Sequence, residues 1–211
     1  HDRDGFYDIG EGRGGVTFAA QGGTATSEDA GGYALAVAAG AVEVTVTDGD
    51  AQVARLLLDL SQGNAKLDLA GPEDRRILST SVSTQLLEGL SSARLLGAGD
   101  WDLTGLRTAN RLWGNAGDNA IAGGGGGDRL WGLAGDDALS GGRGRDRLEG
   151  GTGDDLMSGG GGADQFVFAA GNDRVDDFGQ GRDRLWLAQG AVGDANLDDV
   201  LAGAQVTDAG L

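Results

Sequence analysis

From Gly114 to Val167 one apolar side chain returns at every ninth residue: Ile121, Leu130, Leu139, Leu148, Met157 and Phe166. This spacing predicts a series of very short strands, each pointing its middle side chain inward and its two neighbours outward. One inward side chain per strand makes a thin core, so successive strands must stack to cover one another. Leu112 and Leu103 continue the column upstream. Nearer the N-terminus the period changes to two. Val42, Val44 and Val46 alternate with Glu43, Thr45 and Thr47, Asp48-Gly49 supplies a tight turn, and Val53 to Leu58 returns, which predicts a hairpin. Val16 with Phe18, Tyr33 with Leu35 and Val37, and Leu67 with Leu69 predict further strands.

Between the short strands the polar positions hold the same period. The blocks GNAGDNAIA, GGGGGDRLW, GLAGDDALS, GGRGRDRLE, GGTGDDLMS and GGGGADQFV carry glycine at the first and fourth places throughout. The sixth place reads Asn119, Asp128, Asp137, Asp146, Asp155 and Asp164. A random glycine-rich linker would not keep three residue classes in register, so the segment reads as a repeat architecture. Fixed glycines let the backbone reach positive φ and bring carbonyls close together. The Asp adds a hard anionic oxygen of the kind calcium prefers. Stacked Asp residues repel, and a metal would neutralise them.

The variable places alternate between neighbouring blocks, so the structural repeat is a pair of nonapeptides. The seventh reads Arg111, Ala120, Arg129, Ala138, Arg147, Leu156, and the fifth sets Asp118, Asp136 and Asp154 against Gly127, Arg145 and Ala163. Two faces follow, one stacking Asp128, Asp146 and Asp164, the other Asn119, Asp137 and Asp155.

Composition narrows the function. Asp numbers 27 and Glu 6 against 16 Lys+Arg, a net charge of −17, with 43 glycines and no cysteine. Disulfides and thiolate metal sites are excluded, nucleic acid is disfavoured as a partner, and no apolar run approaches the length of a membrane span. The single histidine, His1, cannot build a histidine-based zinc site or a Ser-His-Asp triad, and no H-E-x-x-H, G-x-S-x-G or P-loop occurs. The chain is therefore read as a non-enzyme.

The block pattern G-G-x-G-x-D-x-U-x resembles the repeats-in-toxin (RTX) nonapeptide, a calcium-binding β-helix repeat. The resemblance implies an all-β chain built around a right-handed parallel β-roll, a β-solenoid with two nonapeptides per coil and calcium between turns. It also implies export by Gram-negative bacteria through a one-step type I exporter and a secreted or cell-surface location. The metal candidates are Asn119, Asp128, Asp137, Asp146, Asp155 and Asp164, with Asp173 and Asp183 in the family-like flank FVFAAGNDRVDDFGQGRDRLWL. About four or more Ca2+ ions are expected.

The organisation expected is a β-rich portion over 1–70, lead-in coils with little calcium over 71–113, the roll over 114–167, and a C-terminal flank over 168–211. His1 at the start suggests a cut fragment, and the export signal is expected to lie outside this sequence. Asp2 and Asp4 are read as a polar terminus rather than a calcium loop, and Asp176, Asp177, Asp198 and Asp199 as surface charge. Arg94, Arg111, Arg129, Arg147 and Arg184 share an outward face with Trp113, Trp131 and Trp186. That face is a solvated sheet eased by cation–π contacts, a surface buried against the N-terminal portion, or a docking surface. The chain is expected to stay unfolded at submicromolar calcium and to fold outside the cell. The parent is read as a structural or assembly-forming protein of a surface layer, matrix or filament. The alternatives are the folding and export module of a secreted hydrolase, or an adhesin binding surface glycan.

Overall fold

The computed structural model describes residues 16–20, 23–26, 40–61, 65–70, 76–179 and 182–187, and every regular element among them is a strand. The predicted strands at Tyr33 to Val37, and the termini with His1, Asp2, Asp4, Asp198 and Asp199, lie outside the described residues.

The nine-residue period becomes two parallel sheets that share the coils. One sheet takes β7 (Thr84–Glu88), β9 (Leu103–Thr104), β11 (Ala120–Gly125), β13 (Ala138–Gly144), β15 (Leu156–Gly162) and β17 (Arg174–Val175). The other takes β6 (Ile77–Thr80), β8 (Ser92–Leu95), β10 (Arg111–Trp113), β12 (Arg129–Ala134), β14 (Arg147–Thr152), β16 (Gln165–Phe168) and β18 (Arg184–Leu187). Ile121 aligns with Leu139 and Leu139 with Met157; on the facing sheet Leu112, Leu130, Leu148 and Phe166 align in turn. Each step is one coil built from two nonapeptides, so the architecture is a parallel β-solenoid. Every member of the inward column from Leu103 to Phe166 is buried, none more than 2% exposed. Each such side chain contributes about 1.5–3 kcal/mol through burial, and there is only one per strand.

At the N-terminal end the same sheets are continued by antiparallel strands. β1 (Val16–Ala20) lies between β2 (Gly23–Thr26) and β3 (Ala41–Asp48); β3 pairs with β4 (Ala51–Asp59), which pairs antiparallel with β7. On the other sheet β5 (Leu67–Ala70) pairs antiparallel with β6. The predicted hairpin is β3–β4, turning at Asp48 and Gly49, whose φ of +62° glycine adopts without steric cost. Val16, Phe18, Val44, Val46, Leu56 and Leu58 fill this end and join the inward column in one continuous core. Arg76 pairs with Asp48 between the two sheets, and Arg55 with Glu43 on the exposed face of β3 and β4.

The lead-in coils are not of constant length. Leu78 aligns with Ala93 and Ala93 with Leu112, so the first of these coils is shorter than the regular repeat and the second is longer by one position. The extra position moves Arg94 out of the arginine column: Arg111 pairs with Ser92, and Arg94 lies beside Trp113 and Ser79. Its Nε donates to Ser79 Oγ at 2.8 Å. The outward face therefore carries two rows, Arg111, Arg129, Arg147, Gln165, Arg184 and Arg94, Trp113, Trp131, Glu149, Val167, Trp186. Trp113 and Trp131 stack on each other, centroids 4.8 Å apart and 2° from parallel.

Candidate metal centre

Each turn delivers its sixth-position side chain into the wall of the roll. Asp128, Asp137, Asp146, Asp155 and Asp164 are 1–2% exposed. One carboxyl oxygen of each is bound to the coil before it. The Asn110 amide donates to Asp128 Oδ1 (2.6 Å), Asn119 to Asp137 (2.8 Å), Asp128 to Asp146 (2.7 Å), Asp137 to Asp155 (2.9 Å) and Asp146 to Asp164 (2.8 Å). These bonds make two vertical ladders, one along Asp128, Asp146 and Asp164, the other along Asp137 and Asp155.

The second oxygen is what distinguishes the middle of each ladder. Oδ2 of Asp128, Asp137, Asp146 and Asp155 is buried without a hydrogen-bond partner. A buried carboxylate oxygen without a partner is costly, and four in adjacent turns mark a shared unmet requirement. Burial is the main cause that pushes Asp128, Asp137 and Asp146 up to about 6 and Asp155 up to about 7. The neighbouring charges of Asp128 and Asp164 push Asp146 further the same way. Asp164 and Asp173 are also raised, again chiefly by burial.

The first-position glycine makes room for that oxygen. A methyl group at Gly141 would lie 2.5 Å from Asp146 Oδ2 and 2.8 Å from the Gly159 carbonyl of the next coil. The carboxylate and a main-chain carbonyl thus converge on space that any other residue would fill. The same pair, an Asp Oδ2 and a glycine carbonyl one coil on, meets at Gly123 and Gly132. The second position does different work: Gly142 takes φ +102°, and a side chain there would collide with the Gly124 carbonyl. Among the described residues no three His, Cys, Asp or Glu side chains gather. A cation here would be held by single carboxylates and carbonyl oxygens, a hard, all-oxygen, anionic set that fits calcium.

The ends of the ladders differ from the middle. Asn119 Oδ1 accepts the Asn115 amide at 2.8 Å and its Nδ2 donates to the Gly99 carbonyl at 3.4 Å, so its amide group is satisfied locally. Asp183 accepts Asp164 N at Oδ1 and Gly179 N at Oδ2, both 2.9 Å. Asp173 Oδ1 accepts the Asp155 amide at 3.3 Å and the carboxyl takes a further bond from the Ala169 backbone. Those three side chains bridge coils but keep no orphaned oxygen.

The family model described as RTX calcium-binding nonapeptide repeat (4 copies) matches residues 104–139, 113–148 and 140–175. This stretch, residues 104–175, is an RTX β-roll. It contains all four orphaned carboxylates and the three glycine cradles at Gly123, Gly132 and Gly141. No curated protein and no solved structure matches the chain.

Two polar features of the roll escape the nonapeptide pattern. Asp177 is not loose surface charge: its Oδ1 accepts Gly159 N (2.9 Å), and its Oδ2 accepts Gly160 N (2.6 Å) and Ser158 Oγ (2.8 Å). Nothing in its sequence neighbourhood marks it as the clamp on an earlier coil. Asp100, Asp118, Asp136 and Asp154 form an outer ladder in which each Oδ1 accepts an amide of the following coil, at 2.8–2.9 Å. Its fifth-place alternation is visible in the sequence; the reversed direction of its bonds is not.

Proposed function

We propose that Asp128, Asp137, Asp146 and Asp155, with glycine carbonyls of adjacent coils, hold about four or more Ca2+ ions, and that the ions drive folding. Asp164, Asp173, Asp183 and Asn119 complete and close the metal columns. The observation that carries this reading is the set of four buried, unpartnered carboxylate oxygens. Without metal the folded roll must bury these charges or protonate them; with metal, each becomes a ligand. Four ions would change the net charge from −17 to about −9, so binding and folding form one event.

This chemistry suits a secreted or cell-surface bacterial protein exported by a type I route, unfolded in submicromolar calcium and folded outside. The module itself is structural, because its interior is filled by its own inward column and its cohesion comes from ions and backbone ladders. Far-UV circular dichroism with calcium and with chelator tests the reading. The β signal is expected to collapse in chelator and return with calcium; an unchanged signal refutes it.

A further inference from the structure

The two edges of the roll carry opposite chemistry. On one, the fifth positions are the exposed acids Asp118, Asp136 and Asp154. On the other they are Ala109, Gly127, Arg145 and Ala163, beside the seventh-position row Arg111, Arg129 and Arg147. A cleft of about 560 Å³ runs along this second edge, with Ala109 and Gly127 between the arginines. Its only acids, Asp128 and Asp146, are 1% exposed and committed to the turns. Arg147 reaches Glu149 at 3.1 Å; Arg111, Arg129 and Arg145 have no ion pair among the described residues.

A chain of −17 thus keeps accessible carboxylates out of one cleft and lines it with four arginines. Arg111, Arg129 and Arg147 stand on adjacent strands, about 4.8 Å apart. Like charges in such a column repel; Glu149 relieves Arg147 alone, and an anion with several charges in a line would engage the whole row. The rest of the lining is small and hydroxyl- or amide-bearing, with Ser91, Ser92, Asn110 and Gln165. Among the described residues no aromatic ring lines it, so its lining offers none of the stacking on which single-stranded nucleic acid depends.

We propose that this cleft binds an acidic polysaccharide, its sulfate or uronate groups on the arginine row and its hydroxyls on the serine, asparagine and glutamine side chains. The site goes beyond the calcium reading. The circular dichroism change reports the folding of the roll, and ligand titration reports the cleft, so the two fail separately.

The probe is dextran sulfate titrated into the calcium-loaded full chain, with neutral dextran and single-stranded DNA in parallel. Dextran sulfate is expected to bind and dextran not to. Three arginines give a log–log salt slope of about −2, at roughly 0.7 per cation. Arg129→Glu with Arg147→Glu is expected to weaken binding by about tenfold or more, as charge-assisted contacts are lost. If that double variant loses its calcium-induced β signal, Arg129→Gln with Arg147→Gln replaces it, with the same expected direction. The proposal is overturned if dextran sulfate binds no better than dextran, or if a folded double variant binds as tightly as wild type. It is equally overturned if single-stranded DNA binds as tightly, or if the cleft is closed by a second copy, seen as concentration-dependent association that the Arg variants abolish.

Discussion

Replacing Asp146 by Asn separates the metal role of this side chain from its hydrogen-bonding role. The Asn carbonyl can still accept the Asp128 amide that now sits 2.7 Å from Oδ1, while the orphaned Oδ2 becomes an NH2 group. One anionic ligand is lost, and a donor is aimed where a cation should be. A contact of a charged group contributes about 1.5–3 kcal/mol. If about four ions enter in one folding transition, that loss is shared among them, and the calcium midpoint rises about 2–4-fold. In chelator the sign reverses. The variant no longer buries a carboxyl crowded by Asp128 and Asp164, so it should retain more β signal than wild type at pH 7. Asp136→Asn is the control, because this exposed acid belongs to the outer ladder, where its Oδ1 accepts the Asp154 amide at 2.8 Å. Its midpoint should stay where wild type lies. Calcium titrations followed by circular dichroism measure all three proteins. An Asp146→Asn midpoint equal to that of Asp136→Asn, or a less structured variant in chelator, would refute the reasoning.

Gly141→Ala should raise the calcium midpoint and cost about 1–3 kcal/mol in thermal or denaturant unfolding, because its methyl group enters the cradle. Gly161→Ala, which meets nothing within 4 Å, should be neutral or stabilising by up to about 1 kcal/mol. Leu133 holds φ +83° at a place where other turns use glycine, and it is 49% exposed. Leu133→Gly should therefore stabilise the roll by about 1 kcal/mol, read as a higher melting temperature in calcium. Acidification acts oppositely on the two forms. The folded carboxyls lie at about 6 to 7 against an ordinary 3.8, so the metal-free roll gains stability as pH falls through 7 toward 4. Calcium must displace those protons, so its midpoint should rise over the same window, and proton release on binding should be measurable near pH 6.

The nine-residue column made the roll legible because inward position, glycine place and carboxylate place all repeat with one period. Leu112, Ile121 and Leu130 needed no structure to be assigned inward. The hairpin was equally plain, since Val44 and Val46 alternate up to an Asp-Gly turn. What the period could not reveal was the work done outside it. The lead-in coils, one short and one long, have no fixed phase, so Arg94 reads as one more arginine in a column it does not join. Asp177 acts across a coil through backbone amides, a contact with no sequence signature. The sixth-position residues look equivalent in the repeat, yet Asn119, Asp173 and Asp183 are satisfied nearby while four Asp oxygens are left bare. Asp173 and Asp183 lead into the edge strands β17 and β18, whereas Asn119 has a coil on either side and is satisfied because its side chain is an amide that both accepts and donates.

The antiparallel strands at the amino-terminal end give the solenoid a direction. That end is held by ordinary apolar packing around Phe18, Val44 and Leu56, which needs no ion, whereas every later rung depends on what lies above it. On the calcium reading proposed above, that end offers the rungs a fixed edge to dock against, so the metal-filled coils would grow from it like a zip with its slider fixed at one end.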